Sequence, residues 1–194
     1  MPYVCDGNSV GVLIVDSLDR ILMITRAKAP SGIAPVAGHV KDNNADLTHL
    51  EAAVIEADEE VGLTIDLADL EEVYERHLPN RCGAVVPAVP AGHQWLVART
   101  RKWSGRVRRA PGEVRAFGWY TPGQVQALAD RTVAYAYGHL PAAKWDAAPG
   151  LEPAWVDILS TVPPINDDPT RTMVRASDPE GLRAVRRLYT ASPA

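Results

Sequence analysis

The segment THLEAAVIEADEEVGL, from Thr48 to Leu63, decides how the chain is read. Leu50, Ala53, Val54, Ala57 and Val61 fall at i, i+3, i+4, i+7 and i+11, the apolar stripe of one helix. Gly62 supplies its stop. Beside the stripe stand Glu56, Glu59 and Glu60 at i, i+3 and i+4, so helical geometry puts three carboxylates on one side. Like charges at this spacing cost a bare helix a few tenths of a kcal/mol per pair, and a divalent cation removes the repulsion. Hard Mg²⁺ takes carboxylate oxygens, keeps some water and binds phosphates through its open positions. The plain alternative is an acidic, solvated helix face.

The flanking sequence places this helix in an α/β chain. Val10–Val15 (VGVLIV) reads as a buried strand and Ile21–Thr25 (ILMIT) as its partner across a turn at Asp16-Ser17-Leu18-Asp19. A loop rich in Pro and Gly, Ala29 to Val40, leads towards the helix. Val85–Val89, Gln94–Arg101 and Val114–Tyr120 read as further strands, and Thr121-Pro122-Gly123 opens a second helix reaching about Tyr137. Eight of the 16 prolines lie between Pro141 and Pro193, where only two short helical patterns stand, around Pro153–Thr161 and Pro179–Tyr189. Leu151–Ser160, with Trp155, is expected to pack onto the domain, and the chain from Thr161 onward reads as an extension.

With 194 residues, 46% of them apolar, the chain can bury a core, which excludes disorder and a disulfide-stapled mini-protein. Cys5 and Cys82 are too few for a disulfide framework and lack zinc-knuckle spacing. No apolar run approaches membrane-spanning length, and no basic segment precedes an apolar one at the N-terminus, so a cytoplasmic protein is expected. The formal net charge of -4 argues against a general nucleic-acid binder. It hides a separation, however. Between Arg76 and Gly112 there is no acid but eight basic residues, Arg76, Arg81, Arg99, Arg101, Lys102, Arg106, Arg108 and Arg109. Two readings stand: solvated surface charge, or carboxylates that gather cations beside arginines that receive a polyanion.

Glu56-Ala-Asp-Glu59-Glu60-Val-Gly62-Leu63, preceded by Pro35-Val-Ala-Gly38-His39-Val40, resembles the Nudix hydrolase signature G-x5-E-x7-R-E-U-x-E-E-x-G-U, where U is aliphatic. Gly38 matches its first glycine. Glu56, Ala57, Glu59, Glu60, Gly62 and Leu63 match its second half. Arg26 after the second strand, Trp119 before Thr121-Pro122 and the helix Gln124–Tyr137 fall where Nudix domains carry such features. Two departures stand out. The interval from Gly38 to Gly62 is three residues longer than the family's, leaving Asp42 and Asp46 as the acids nearest to its first glutamate. Ile55 replaces the arginine that in the family braces a catalytic glutamate.

The resemblance implies an α/β/α sandwich with a mixed sheet over residues 8–160, followed by an extension, 161–194. It implies a Mg²⁺- or Mn²⁺-dependent pyrophosphohydrolase, with a nucleoside-diphosphate-linked small molecule as substrate. Glu56, Glu59, Glu60 and the Gly38 carbonyl would hold the metal. Glu59 or Glu113 would be the general base. Arg26, Arg99 and Arg101 are candidate contacts to phosphate or base, since guanidinium suits oxyanions, with one of Arg99 and Arg101 on the ligand and the other solvated, and His39 either lines the pocket or positions backbone. Strand alternation puts Arg99 and Arg101 on one face with Trp95 and Val97. For Glu113 the plain alternative is pairing with Arg109 or Arg115, and His49, His77, His93 and His139 read as structural or exposed. The rival reading is a Nudix-like module that binds a nucleotide without cleaving it. The extension could cap the pocket, form a homodimer surface or stay mobile.

Overall fold

The structure is a computed structural model and describes residues 5, 7–40, 47–81, 92–165, 172–175 and 179–190. The expected strand Val85–Val89, and Cys82, Asp42 and Asp46, lie outside these residues. In chain order the strands are β1 (Asn8–Ile14), β2 (Ile21–Arg26), β3 (Ile33–Ala34), β4 (Val36–His39), β5 (Leu63–Thr64), β6 (Glu71–Leu78), β7 (His93–Thr100), β8 (Ser104–Gly105) and β9 (Val114–Tyr120). The helices are α1 (His49–Val61), α2 (Pro122–Ala136), α3 (Ala142–Ala147), α4 (Pro153–Leu159) and α5 (Pro179–Thr190).

One mixed sheet has the order β4-β1-β7-β6, with β1 and β7 parallel and the outer pairs antiparallel. A second, antiparallel sheet has the order β3-β2-β9. The hairpin expected from β1 and β2 does not form as a ladder. The two strands meet only in a single bridge, Val15 to Ile21, and enter different sheets. The cause lies in their sequences, which are apolar on both faces because both faces are covered. Val10, Val12, Ile14, Leu22 and Ile24 face a core shared with Ala53, Ala57 and Val61 of α1. Leu13, Ile21 and Met23 face the opposite core, closed by residues of α2, α4 and α5. This is the expected α/β/α arrangement.

The caps explain where the helices start. Thr48 accepts from the Glu51 N–H while Glu51 returns to the Thr48 N–H, and Thr121 and Gln124 repeat this reciprocal box at α2. Gly62 closes α1 at φ 68°, a left-handed conformation that suits glycine. Glycine is needed at Gly11 for another reason: a Cβ there would overlap the Trp155 indole, which is wholly buried and meets Trp95 edge-on at 5.6 Å.

Every residue of α4 is buried, including Asp157. A carboxylate in that position requires partners. The Arg186 Nε and Nη2 donate to it at 2.7 and 2.9 Å, and the Tyr189 hydroxyl donates at 2.5 Å. Burial alone would raise the Asp157 carboxyl, but these bonds and the Arg186 charge hold it below its ordinary value. Both partners sit on α5, so the segment after Thr161 adds Val162, Ile165, Met173, Val174, Val185 and Tyr189 to the core of the preceding domain. Among the described residues no helix is long and apolar enough to cross a membrane.

Candidate active site

Two glutamates of α1 reach the backbone of β4. The Ala37 N–H donates to Glu60 Oε2 at 3.1 Å. One turn earlier the Glu56 carboxylate lies against Gly38, where any Cβ would overlap its oxygens. A glycine is therefore the residue that lets the helix and strand approach with a carboxylate between them. Exposure is graded along this face: Glu60 is buried, Glu56 half-buried and Glu59 exposed. Burial pushes the Glu60 carboxyl up to about 7, against the Ala37 hydrogen bond and the Arg26 charge, with Glu113 and Glu59 adding repulsion.

Arg26 closes β2 where the ladder to β9 slips by a residue, between Thr25 and Arg26. Its charge acts on Glu60 and also on Glu152, a buried carboxyl raised by burial and held back by Arg26 and the Ala154 N–H. The Arg26 Nε is buried with no hydrogen-bond partner among the described residues. Glu113 lies in the loop before β9, its carbonyl accepting from the Ala27 N–H at 2.8 Å. The same loop is tied to the end of α1 by Arg108 N–H to Val61 O at 2.9 Å and Ala110 N–H to Glu60 O at 3.1 Å. The Glu113 carboxylate pairs with Lys28 at 2.8 Å, a partner other than Arg109 and Arg115, the pairing that stood as the alternative to a catalytic role. Both side chains are well exposed, which leaves that pair a modest contribution.

Arg99 and Arg101 stand apart from this group. Arg99 is buried with its guanidinium on Glu71 and on the Pro164 carbonyl, and Arg101 pairs with Asp19 and the Ile165 carbonyl. Trp95 and Val97, which share the Arg99 face of β7, belong to the core under α4 and α5, whereas Leu96 and Ala98 face α1. Alternation thus turns Arg99 away from the box helix. His39 ends β4 next to Gly38, and its ring is grouped with Cys5 and His93. Lys28 and Glu152 escaped the sequence reading. An acid at the mouth of the apolar segment Leu151–Leu159 was the available signal for Glu152.

The Gly38–Glu56 cradle and the Glu60 anchor are formed by the residues of the box quoted above, and a family model described as NUDIX domain matches residues 6–141. The chain belongs to the NUDIX family. With that membership it is a Nudix hydrolase, and hydrolases of this family generally use a divalent metal and cleave pyrophosphate bonds. No curated protein matches the chain. Solved structures similar to it include a MutT NUDIX hydrolase from Burkholderia pseudomallei, at 24% identity over 63% of this chain and 85% of that one, TM-score 0.44. An Ap4A hydrolase binary complex from C. elegans is 18% identical over 63% and 86%, TM-score 0.44. The NUDIX domain of Shewanella oneidensis NrtR, complexed with ADP ribose, is 11% identical over 60% and 73%, TM-score 0.48.

Proposed function

We propose that this Nudix hydrolase cleaves the diphosphate of a nucleoside-diphosphate-linked small molecule by attack of water at phosphorus, with Mg²⁺ or Mn²⁺ bound. The observation that carries the reading is the delivery of two box carboxylates, Glu56 and Glu60, onto the backbone at Gly38 and Ala37. The donor set fits such a cation: carboxylate and carbonyl oxygens suit a hard ion. Glu60 is a buried carboxyl raised to about 7, a state that a nearby positive charge would reverse. Glu56, Glu60, Glu59 and the Gly38 carbonyl would hold the metal. When bound, it neutralises the diphosphate and acidifies a water.

The chain's own residues do the rest. Glu59 near the end of α1 or Glu113 in the loop before β9, both exposed, takes the proton of the attacking water as the P–O bond to the leaving phosphate breaks. Glu113 must leave Lys28 to do so, and Lys28 is then available to the anionic substrate. Arg26 offers its guanidinium to a phosphate oxygen, which would give its buried Nε a partner. Arg99 and Arg101, held by Glu71 and Asp19, instead tie β7 to its neighbours.

The test is a panel of nucleotide sugars, dinucleotides, ADP-ribose, Ap4A and nucleoside triphosphates, each with and without Mg²⁺. Metal-dependent release of a monophosphate or pyrophosphate from at least one member is expected. Glu59→Gln and Glu60→Gln should each slow it by about a hundredfold or more. Calorimetric binding without turnover of any member would leave the chain a nucleotide-binding module.

A further inference from the structure

A second group of ligand-type side chains lies at one end of the mixed sheet, built from three adjacent strands. Ser9 of β1 pairs with His39 of β4, and Asn8 pairs with Gln94 of β7, so the end of β4, the entry to β1 and the start of β7 share one edge. His39 is the last residue of β4 and His93 the first of β7. Cys5 precedes β1, and its sulfur accepts from the Gly7 N–H at 3.3 Å. The register of β4 and β7 on β1 therefore gathers two imidazoles that are far apart in sequence, and the chain entering β1 sets a thiol beside them.

The side chains complete the picture. Cys5 Sγ lies 3.1 Å from His93 Nε2, and the two residues are 4% and 1% exposed. The other nitrogen of that ring, Nδ1, lies 3.0 Å from the Asn80 carbonyl. A carbonyl can only accept, so Nδ1 carries the proton and Nε2 turns a lone pair towards Cys5. A carbonyl behind the ring is also what orients a metal-binding histidine and fixes its tautomer. The His39 ring approaches His93 with centroids 5.4 Å apart. One ligand atom from each of the three residues lies within 4.8 Å of the others, and among the described residues this is the group that meets that spacing. A Cys–His hydrogen bond by itself would not require the second imidazole.

We infer that Cys5, His39 and His93 form a transition-metal site, with Zn²⁺ as the ion whose chemistry they match. Two imidazole nitrogens and one thiolate are borderline-to-soft donors, which Zn²⁺ takes readily and Mg²⁺ does not. Tetrahedral Zn²⁺, with bonds of about 2.3 Å to sulfur and 2.0–2.1 Å to nitrogen, sets a sulfur–nitrogen separation of about 3.5 Å. Cys5 Sγ and His93 Nε2 start 3.1 Å apart and all the ligand atoms lie within 4.8 Å of one another, so their separations need to change by at most about 1.5 Å to meet it. Binding exchanges the Cys5 thiol proton for the metal and releases it to solvent, while both imidazoles coordinate as neutral bases. Three protein ligands would leave the fourth position of a tetrahedral ion to water. The ion would staple the segment before β1 to β4 and β7 and fix the residue next to Gly38. It is separate from the oxygen-donor site proposed above and does not depend on it.

The experiment uses the full chain, stripped of metal and titrated with Zn²⁺ against a chromophoric chelator, then with Co²⁺ followed by absorbance. Wild type and Glu60→Gln should each bind one tight equivalent of Zn²⁺ and show a sulfur-to-cobalt charge-transfer band. Cys5→Ser should lose the band and bind Zn²⁺ about a hundredfold more weakly. His39→Gln, at a half-exposed position, should weaken zinc similarly without unfolding the sheet, and stands in should Cys5→Ser fail to fold. Zinc calorimetry in two buffers should register one released proton in wild type. Equal zinc affinity in wild type and His39→Gln, or zinc lost in Glu60→Gln but kept in Cys5→Ser, would overturn the assignment. The same holds if no equivalent binds. None of these results bears on Mg²⁺-dependent hydrolysis, which Glu60→Gln reports on its own.

Discussion

Gly38→Ala separates the site from the scaffold. The substituted methyl would occupy the place of the Glu56 carboxylate, so the glutamate must swing away from β4. Its stability cost is small for two reasons. Gly38 lies in an ordinary strand conformation, outside the chain's positive-φ glycines, so alanine there gains about 0.4–1 kcal/mol from a less flexible unfolded chain. The clashing atoms are the far end of a flexible side chain, and reorienting it costs about 0.5–1.5 kcal/mol. The two nearly cancel, and the denaturation midpoint should stay within about 1 kcal/mol of wild type. Losing one preorganised charged group at the reacting centre costs about 2.7–4 kcal/mol, or a factor of 10² to 10³ in kcat. Urea denaturation alongside steady-state hydrolysis of the best panel substrate measures both quantities. Binding of Mn²⁺, followed by its electron-spin-resonance signal, should weaken in parallel. If the variant is as stable as wild type and also as fast, Glu56 on Gly38 plays no part in catalysis and the proposed site is wrong.

Other perturbations test the scaffold. Arg186→Leu leaves Asp157 buried with only the Tyr189 hydroxyl of its α5 partners, and should cost about 2–4 kcal/mol at neutral pH, somewhat discounted because Arg186 is 44% exposed. Asp157 has a folded value below its ordinary 3.8, so its pairing contributes fully above that pH and is lost as the pH falls through the lower folded value. The gap between wild type and Arg186→Leu should therefore close below about pH 4, as urea midpoints from pH 7 to 2.5 would reveal. A gap that persists in acid would mean that packing, not charge, holds α5. Gly11→Ala drives a methyl into the Trp155 indole and should lower stability by about 1–3 kcal/mol in the same assay, an effect that should vanish in a Trp155→Leu background.

What the sequence made legible follows from how local each signal was. The box helix was readable because its stripe, its terminal glycine and its three carboxylates are all written within sixteen consecutive residues. The start of α2 was equally local, in Thr121-Pro122. The partner of β1 was not, because a strand apolar on both faces carries no alternation to say which neighbour it takes. Alternation correctly grouped Arg99 with Trp95 and Val97, but which face the box helix covers is decided by the whole sandwich. The trio Cys5, His39 and His93 had no spacing to betray it. Its histidines are brought together by strand register, and Cys5 and His93 are 88 residues apart.

The missing arginine at position 55 is best understood from where this fold supplies positive charge. Ile55 is 38% exposed on α1, so an arginine introduced there would reach water and pair with Glu51 or Glu59 across one turn. Such a pair is worth about 0.3–0.5 kcal/mol, little more than a factor of two in any rate that depends on it. The charge felt by Glu60 comes instead from Arg26 at the end of β2, which acts also on Glu152. Strand β2 thus carries a cation to two buried carboxyls that the box helix of this chain cannot serve. Ile55→Arg should change kcat by less than about threefold, whereas Arg26→Met should lower kcat/KM by about a hundredfold. Arg26→Lys should recover part of that loss, since it keeps the charge without the planar fork. Should Ile55→Arg instead raise kcat tenfold or more while Arg26→Met leaves it unchanged, the brace belongs on the helix, and its absence limits this enzyme.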